Sequence, residues 1–92
     1  LKCRHVLGQT LYVVFVGATI VGGIRLAFDP DYGSNRGAQN NEHRVYDEPI
    51  PMTKGQELGH FELGSTVVLA WETSLGPLAA PIAEAIQVGQ AL

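Results

Sequence analysis

The sequence predicts a mainly β structure, a small sandwich-like or barrel-like piece with an incomplete core. Two patterns carry that expectation. Residues 12–24 are dense in β-branched and aromatic side chains, and residues 61–71 alternate with period two. Length adds the third observation: 92 residues suffice for one small domain, which buries a modest share of its surface. Apolar residues fall into two blocks, 6–28 and 58–92, separated by a polar, turn-rich stretch. The chain starts at Leu1 rather than methionine and is read as an internal or carboxy-terminal fragment.

Residues 6–24 carry no charge, and their length approaches what a membrane-spanning helix needs. Gly8, Gly17, Gly22 and Gly23 count weakly against a span, because glycine occurs in such helices. The content of Tyr12, Val13, Val14, Phe15, Val16, Thr19, Ile20, Val21 and Ile24 favours strands instead. Strands are therefore expected near 11–16 and 19–28, with Gly17-Ala18 as a break or bulge. Residues 29–51 read as a loop with turn chemistry at both ends and a brief strand at Val45-Tyr46. A tight turn is expected over Met52–Gln56, with Gly55 at positive φ.

Further strands are expected near 58–63 and 65–71. Through 61–71 the odd positions are Phe61, Leu63, Ser65, Val67, Leu69 and Trp71. An unbroken strand would set the Ser65 hydroxyl on an apolar face, where it needs a partner or a task. A kink at Gly64 would turn it elsewhere. Residues 81–86 suit a helical turn or a strand start, and 85–88 a last short strand.

Composition excludes several functions. Net charge is −3 and no stretch concentrates lysine and arginine, so no nucleic-acid partner is expected. Cys3 stands alone, which rules out an internal disulfide framework. His5, His43 and His60 have no partner at metal-ligand spacing, so no metal site is expected. Neither a Walker loop nor a dinucleotide fingerprint is present.

Gly64-Ser65 is the one pair with chemical promise. A glycine before the serine leaves its carbonyl carbon open to attack and tolerates strained backbone. The hydroxyl is then able to attack the preceding carbonyl and convert the amide to an ester. The plain alternative is a small residue at a strand kink.

Three segments add a resemblance. Val16–Ile24 (VGATIVGGI) resembles the VGAT-x-VGSI segment of phosphatidylserine decarboxylases. Lys54–Leu69 (KGQELGHFELGSTVVL) resembles that family's KG-x-E-x-G-x-F-x-x-GST stretch, and Ala85–Leu92 is similar to its ending. The resemblance covers most of the chain from about residue 11, in matching order. Gly23 departs from it, standing where the family usually has serine. The loop 29–51 is a region where the family varies. Residues 1–10 do not resemble the upstream aspartate and histidine motifs that assist catalysis in the family, so His5 takes no such role.

The resemblance implies that the chain, 1–92, is the carboxy-terminal part of a larger decarboxylase fold. It implies cleavage between Gly64 and Ser65, and conversion of Ser65 into a covalent pyruvoyl group, the cofactor of the reaction. The substrate implied is phosphatidylserine, decarboxylated to phosphatidylethanolamine, with the pyruvoyl ketone as electron sink. The implied partners are a membrane lipid surface and the missing upstream β-subunit region. Attachment would be peripheral, to a bacterial cytoplasmic membrane first and a mitochondrial inner membrane second, although no amphipathic anchor is visible. Self-cleavage needs a base. His43, His60 and Glu62 are the candidates here, but strand alternation turns His60 and Glu62 away from Ser65, which points to an upstream base. Alone, the fragment is expected to be inactive. Two other readings remain at this point. A lipoyl- or biotinyl-like carrier module would need a displayed lysine, and Lys54 lacks carrier-type flanks. A single-span membrane protein would cross through residues 6–24.

Overall fold

The computed structural model describes residues 1–17, 22–34, 42–64, 66–77, 85 and 87. They form five strands and one short 3-10 turn: β1 Lys2–Arg4, β2 Thr10–Val16, β3 Gly22–Leu26, β4 Gly59–Leu63, β5 Thr66–Trp71, and the turn Thr73–Leu75. The mainly β expectation holds. The uncharged run forms strand at Thr10–Val16 and Gly22–Leu26. Among the described residues no helix is long and apolar enough to cross a membrane.

Two compact units divide the chain. One comprises Leu1–Val14 with Val68–Leu92, the other Phe15–Val67. In the first unit β1 and β2 pair antiparallel, with Lys2 opposite Tyr12, Cys3 opposite Leu11 and Arg4 opposite Thr10. Strand β5 adds on the other side of β2, giving the order β1-β2-β5. The Glu72 amide donates to the Thr10 carbonyl at 3.2 Å, so β5 ends where β2 begins. Within β2 the side chains alternate as expected. Leu11 and Val13 turn inward, and Val13 is 7% exposed, while Tyr12 and Val14 face solvent. The Trp71 indole N–H donates to the Gly76 carbonyl at 2.9 Å, tying the end of β5 to the turn beyond it.

In the second unit β3 and β4 form an antiparallel pair with Gly22 opposite Leu63, Ile24 opposite Phe61 and Leu26 opposite Gly59. Leu26 is its buried centre, 5% exposed. Phe61 packs against Phe15 with ring centroids 5.4 Å apart. The free edge of β3 is covered by residues 33–34. Gly33 bridges Arg25, and the Ile24 N–H donates to Ser34 Oγ at 2.8 Å while Ser34 N–H donates to the Ile24 carbonyl at 3.1 Å. Val13 and Leu26 are the only buried large apolar residues among those described.

Four details differ from the sequence reading. Strand β1 was not anticipated, because three residues are too few to show a period and its conformation comes from pairing with β2. Strand β3 ends at Leu26 rather than 28, since Ala27 and Phe28 bend away toward the loop. Val45 and Tyr46 form no strand, because their environment is set by side chains rather than by a neighbouring backbone edge. Of the expected last strand, Ala85 and Gln87 are not in strand; Ile86, Val88 and residues 81–84 lie outside the described residues, as do Ala18 to Val21. The turn before β4 is as expected. Gln56 N–H donates to the Thr53 carbonyl at 3.1 Å and Gly55 takes φ +80°.

The loop after β3 is closed by a charged clasp. Asp29 Oδ2 accepts from the Tyr46 hydroxyl at 2.5 Å and from Arg44 Nη1 at 2.7 Å. Arg44 also pairs with Glu42 at 2.9 Å and lies 5.0 Å from the centre of the Tyr32 ring, whose hydroxyl donates to the Glu42 carbonyl. Phe28 meets Tyr46 edge-on. The bond from Tyr46, then Arg44, holds the Asp29 carboxyl below its ordinary range. Burial, then the Asp29 carboxylate, pushes the Tyr46 phenol up to about 12. Asp29, with a lowered value, contributes stability above the ordinary carboxylate range that is lost as pH falls below about 4. Tyr46, with a raised value, contributes stability present below about pH 10 and lost as pH rises toward 12. Ultraviolet titration of the phenols should therefore show Tyr46 ionising late. Asp29→Asn should lower its midpoint toward about 10 without reaching it, since the burial stays. A late tyrosine that does not respond to that change would deny the clasp.

Candidate functional site

Strands β4 and β5 are neighbours in sequence but belong to different sheets. Strand β4 belongs with β3, and β5 with β1 and β2. Between them Gly64 takes φ +93°, a conformation that side chains other than glycine rarely adopt. Gly64 directly follows the last residue of β4, and β5, which belongs to the other sheet, begins at Thr66. Ser65 lies outside the described residues.

The odd–even pattern continues through 61–71 in the sequence, but β4 and β5 are separate strands with separate partners. Parity holds within each and is not carried across Gly64, so it no longer assigns His60 and Glu62 to a face relative to residue 65. Their partners are nonetheless defined. His60 Nδ1 lies 3.1 Å from Glu57 Oε1, both exposed. Glu62 Oε1 accepts from Arg25 Nε at 2.9 Å. His43 is exposed. Among the described residues no three His, Cys, Asp or Glu side chains form a metal-binding group.

The Arg25–Glu62 pair reaches the site through Gly23. This glycine has φ +67°, and a Cβ there would fall on Oε2 and Cβ of Glu62. The missing side chain makes room for Glu62, two residues before Gly64, and Arg25 holds it there. The slot was not legible in the sequence, where Gly23 appears only as a small-for-small departure. Gly23→Ser should cost about 1–3 kcal/mol by overpacking and left-handed strain. In a Glu62→Gly background the same change should cost less, because the clash is relieved. Thermal unfolding of the four full-length proteins gives the coupling; strictly additive losses would show that Glu62 does not occupy this slot.

The family model described as phosphatidylserine decarboxylase matches residues 1–92. The chain belongs to the phosphatidylserine decarboxylase family. It is 44% identical over 78 residues to the phosphatidylserine decarboxylase proenzyme of Anaeromyxobacter sp. (strain K), covering 83% of this chain and 27% of that protein. With the proenzyme of Campylobacter jejuni it shares 39% identity over 90 residues, 98% of this chain and 33% of the relative. With the mitochondrial proenzyme of Cricetulus griseus it shares 48% over 65 residues, 62% of this chain and 16% of the relative. The chain therefore spans about a third or less of the length of these phosphatidylserine decarboxylases. No solved structure matches it significantly. Family membership displaces the carrier-module reading of Lys54.

Proposed function

We propose that this chain is the carboxy-terminal part, 1–92, of a pyruvoyl-dependent phosphatidylserine decarboxylase that cuts itself between Gly64 and Ser65. The observation that carries the reading is Gly64 at φ +93° between strands of two different sheets, inside the family's LGST sequence. A glycine held in that conformation presents a carbonyl without side-chain cover, where a following hydroxyl has most to gain from access.

The chemistry is as follows. Ser65 Oγ attacks the Gly64 carbonyl carbon, the amide C–N bond breaks, and an ester to Gly64 forms with the amine of residue 65 now free. A base removes the Cα proton of residue 65. Elimination expels the Gly64 carboxylate and leaves a dehydroalanine, which tautomerises and is hydrolysed by one water with loss of ammonia. The resulting pyruvoyl group supplies an electron sink for loss of carbon dioxide from the amine-bearing substrate. Gly64 becomes the end of the upstream subunit, and residue 65 the start of the downstream one. The candidates for that base are His43, His60 and Glu62 of this chain and the upstream region. The substrate is phosphatidylserine, and attachment is peripheral, to the bacterial cytoplasmic membrane or, in a mitochondrial setting, the inner membrane.

The test uses full-length protein. Mass spectrometry should show two fragments divided at Gly64-Ser65, the smaller lacking a free amino terminus and labelled by a hydrazide. Labelled carbon dioxide should be released from carboxyl-labelled phosphatidylserine and not from free serine. An intact chain, or release from serine alone, would overturn the reading.

A further inference from the structure

The hairpin of β1 and β2 ends in an apolar tip set among cations. Val6 and Leu7 are 93% and 76% exposed, within the five residues His5–Gln9 that join the paired positions Arg4 and Thr10. The turn is ordered by its own backbone. His5 N–H donates to the Gln9 carbonyl and Gly8 N–H to the His5 carbonyl, both at 2.8 Å, and Gly8 takes φ +94°. Leu7 N–H donates to His5 Nδ1 at 3.3 Å. Two aliphatic side chains are thus displayed by a built turn.

The strands behind the tip continue the pattern. Lys2 stands opposite Tyr12 and Arg4 opposite Thr10, so all four share one face, and alternation adds Val14. Lys2, Arg4, Tyr12 and Val14 are all exposed. Residues 1–28 contain no aspartate or glutamate, in a chain whose net charge is −3. The acidic residue joined to this sheet's margin is Glu72, through the bond from its amide to Thr10. Lys2 and Arg4 outweigh it.

We propose that this hairpin docks the protein on an anionic lipid bilayer. Val6 and Leu7 enter the boundary between headgroups and acyl chains, and Lys2 and Arg4 meet the headgroup anions. The proposal rests on the phospholipid substrate argued above. Aliphatic side chains at a turn tip gain by leaving water, and a tip, unlike a sheet face, enters an interface without opening the fold. Each basic residue near an anionic surface strengthens attachment, and long stems keep the charges at headgroup level while the tip goes deeper. A cover made of protein core would gain nothing from flanking cations.

Flotation of full-length protein with vesicles tests this. Phosphatidylglycerol is used as the anionic lipid because it is not the substrate, so capture by the catalytic site cannot imitate docking. Wild type should float with phosphatidylcholine vesicles containing phosphatidylglycerol and less with phosphatidylcholine alone. The pair Val6→Asp with Leu7→Asp, and the pair Lys2→Glu with Arg4→Glu, should each weaken binding by about tenfold or more. Both should keep self-cleavage and decarboxylation of detergent-dispersed phosphatidylserine. Leu7→Trp should gain blue-shifted emission, relative to wild type, when vesicles are added. Flotation unchanged in both pairs would overturn the proposal, as would a Leu7→Trp emission already blue without lipid, which would mean another part of the protein covers the tip. Failure of the detergent assay in wild type would strike the decarboxylase reading and leave docking standing.

Discussion

Full-length protein carrying Ser65→Ala should remain a single chain and show no decarboxylase activity. Alanine has no nucleophile to attack the Gly64 carbonyl and no oxygen to leave with the upstream fragment. Two further variants grade the effect. Ser65→Cys should cleave slowly, because a thiol attacks the same carbonyl, and should form little pyruvoyl group. Thr66→Ala should be milder, since Thr66 is limited to orienting its neighbours. Intact mass after treatment with a carbonyl-reactive reagent reads cleavage and the ketone together. A Ser65→Ala protein that still splits and still reacts would end the pyruvoyl assignment.

Gly64→Ala should slow self-cleavage by about tenfold or more, with Ser65 untouched. A Cβ at positive φ costs about 1–2 kcal/mol, and each 1.36 kcal/mol at the barrier is about a tenfold change in rate. Alanine relaxes from the φ of +93° that Gly64 holds, so regaining that conformation to react adds to the barrier. Gly55→Ala is the matched control. Gly55 has φ +80° and nothing within 4 Å of an added Cβ, so it carries comparable strain away from the scissile bond. Cleavage followed by gel after synthesis should be slow in the first variant and near wild type in the second. Equal rates in both would show that the backbone at Gly64 has no part in the reaction.

Much of the β class was legible because it is written locally. Leu11, Val13 and Phe15 alternate with Tyr12, Val14 and Val16 within seven residues, and the strand follows the pattern. The turn at Thr53–Gln56 was legible for the same reason. The clasp was not. Asp29, Arg44 and Tyr46 looked like a solvated loop face, because their contacts join residues 15 and 17 positions apart and no periodicity encodes such pairs. The Asp29 side chain is 11% exposed as a result.

By itself the sequence determined that the chain is mainly β and that it resembles the phosphatidylserine decarboxylases, and it singled out Gly64-Ser65 as the pair proposed for the chemistry. These are properties of residue type and short-range order. Only the tertiary structure decided that the alternation of 61–71 belongs to two strands in two sheets, because period two describes a strand's own faces and not the partner it bonds. The same holds for the slot at Gly23, where the constraint is a Glu62 side chain 39 positions away, and for the tip at Val6 and Leu7. An apolar pair in a sequence reads as core until the fold either buries it or, as in this hairpin, holds it out in water.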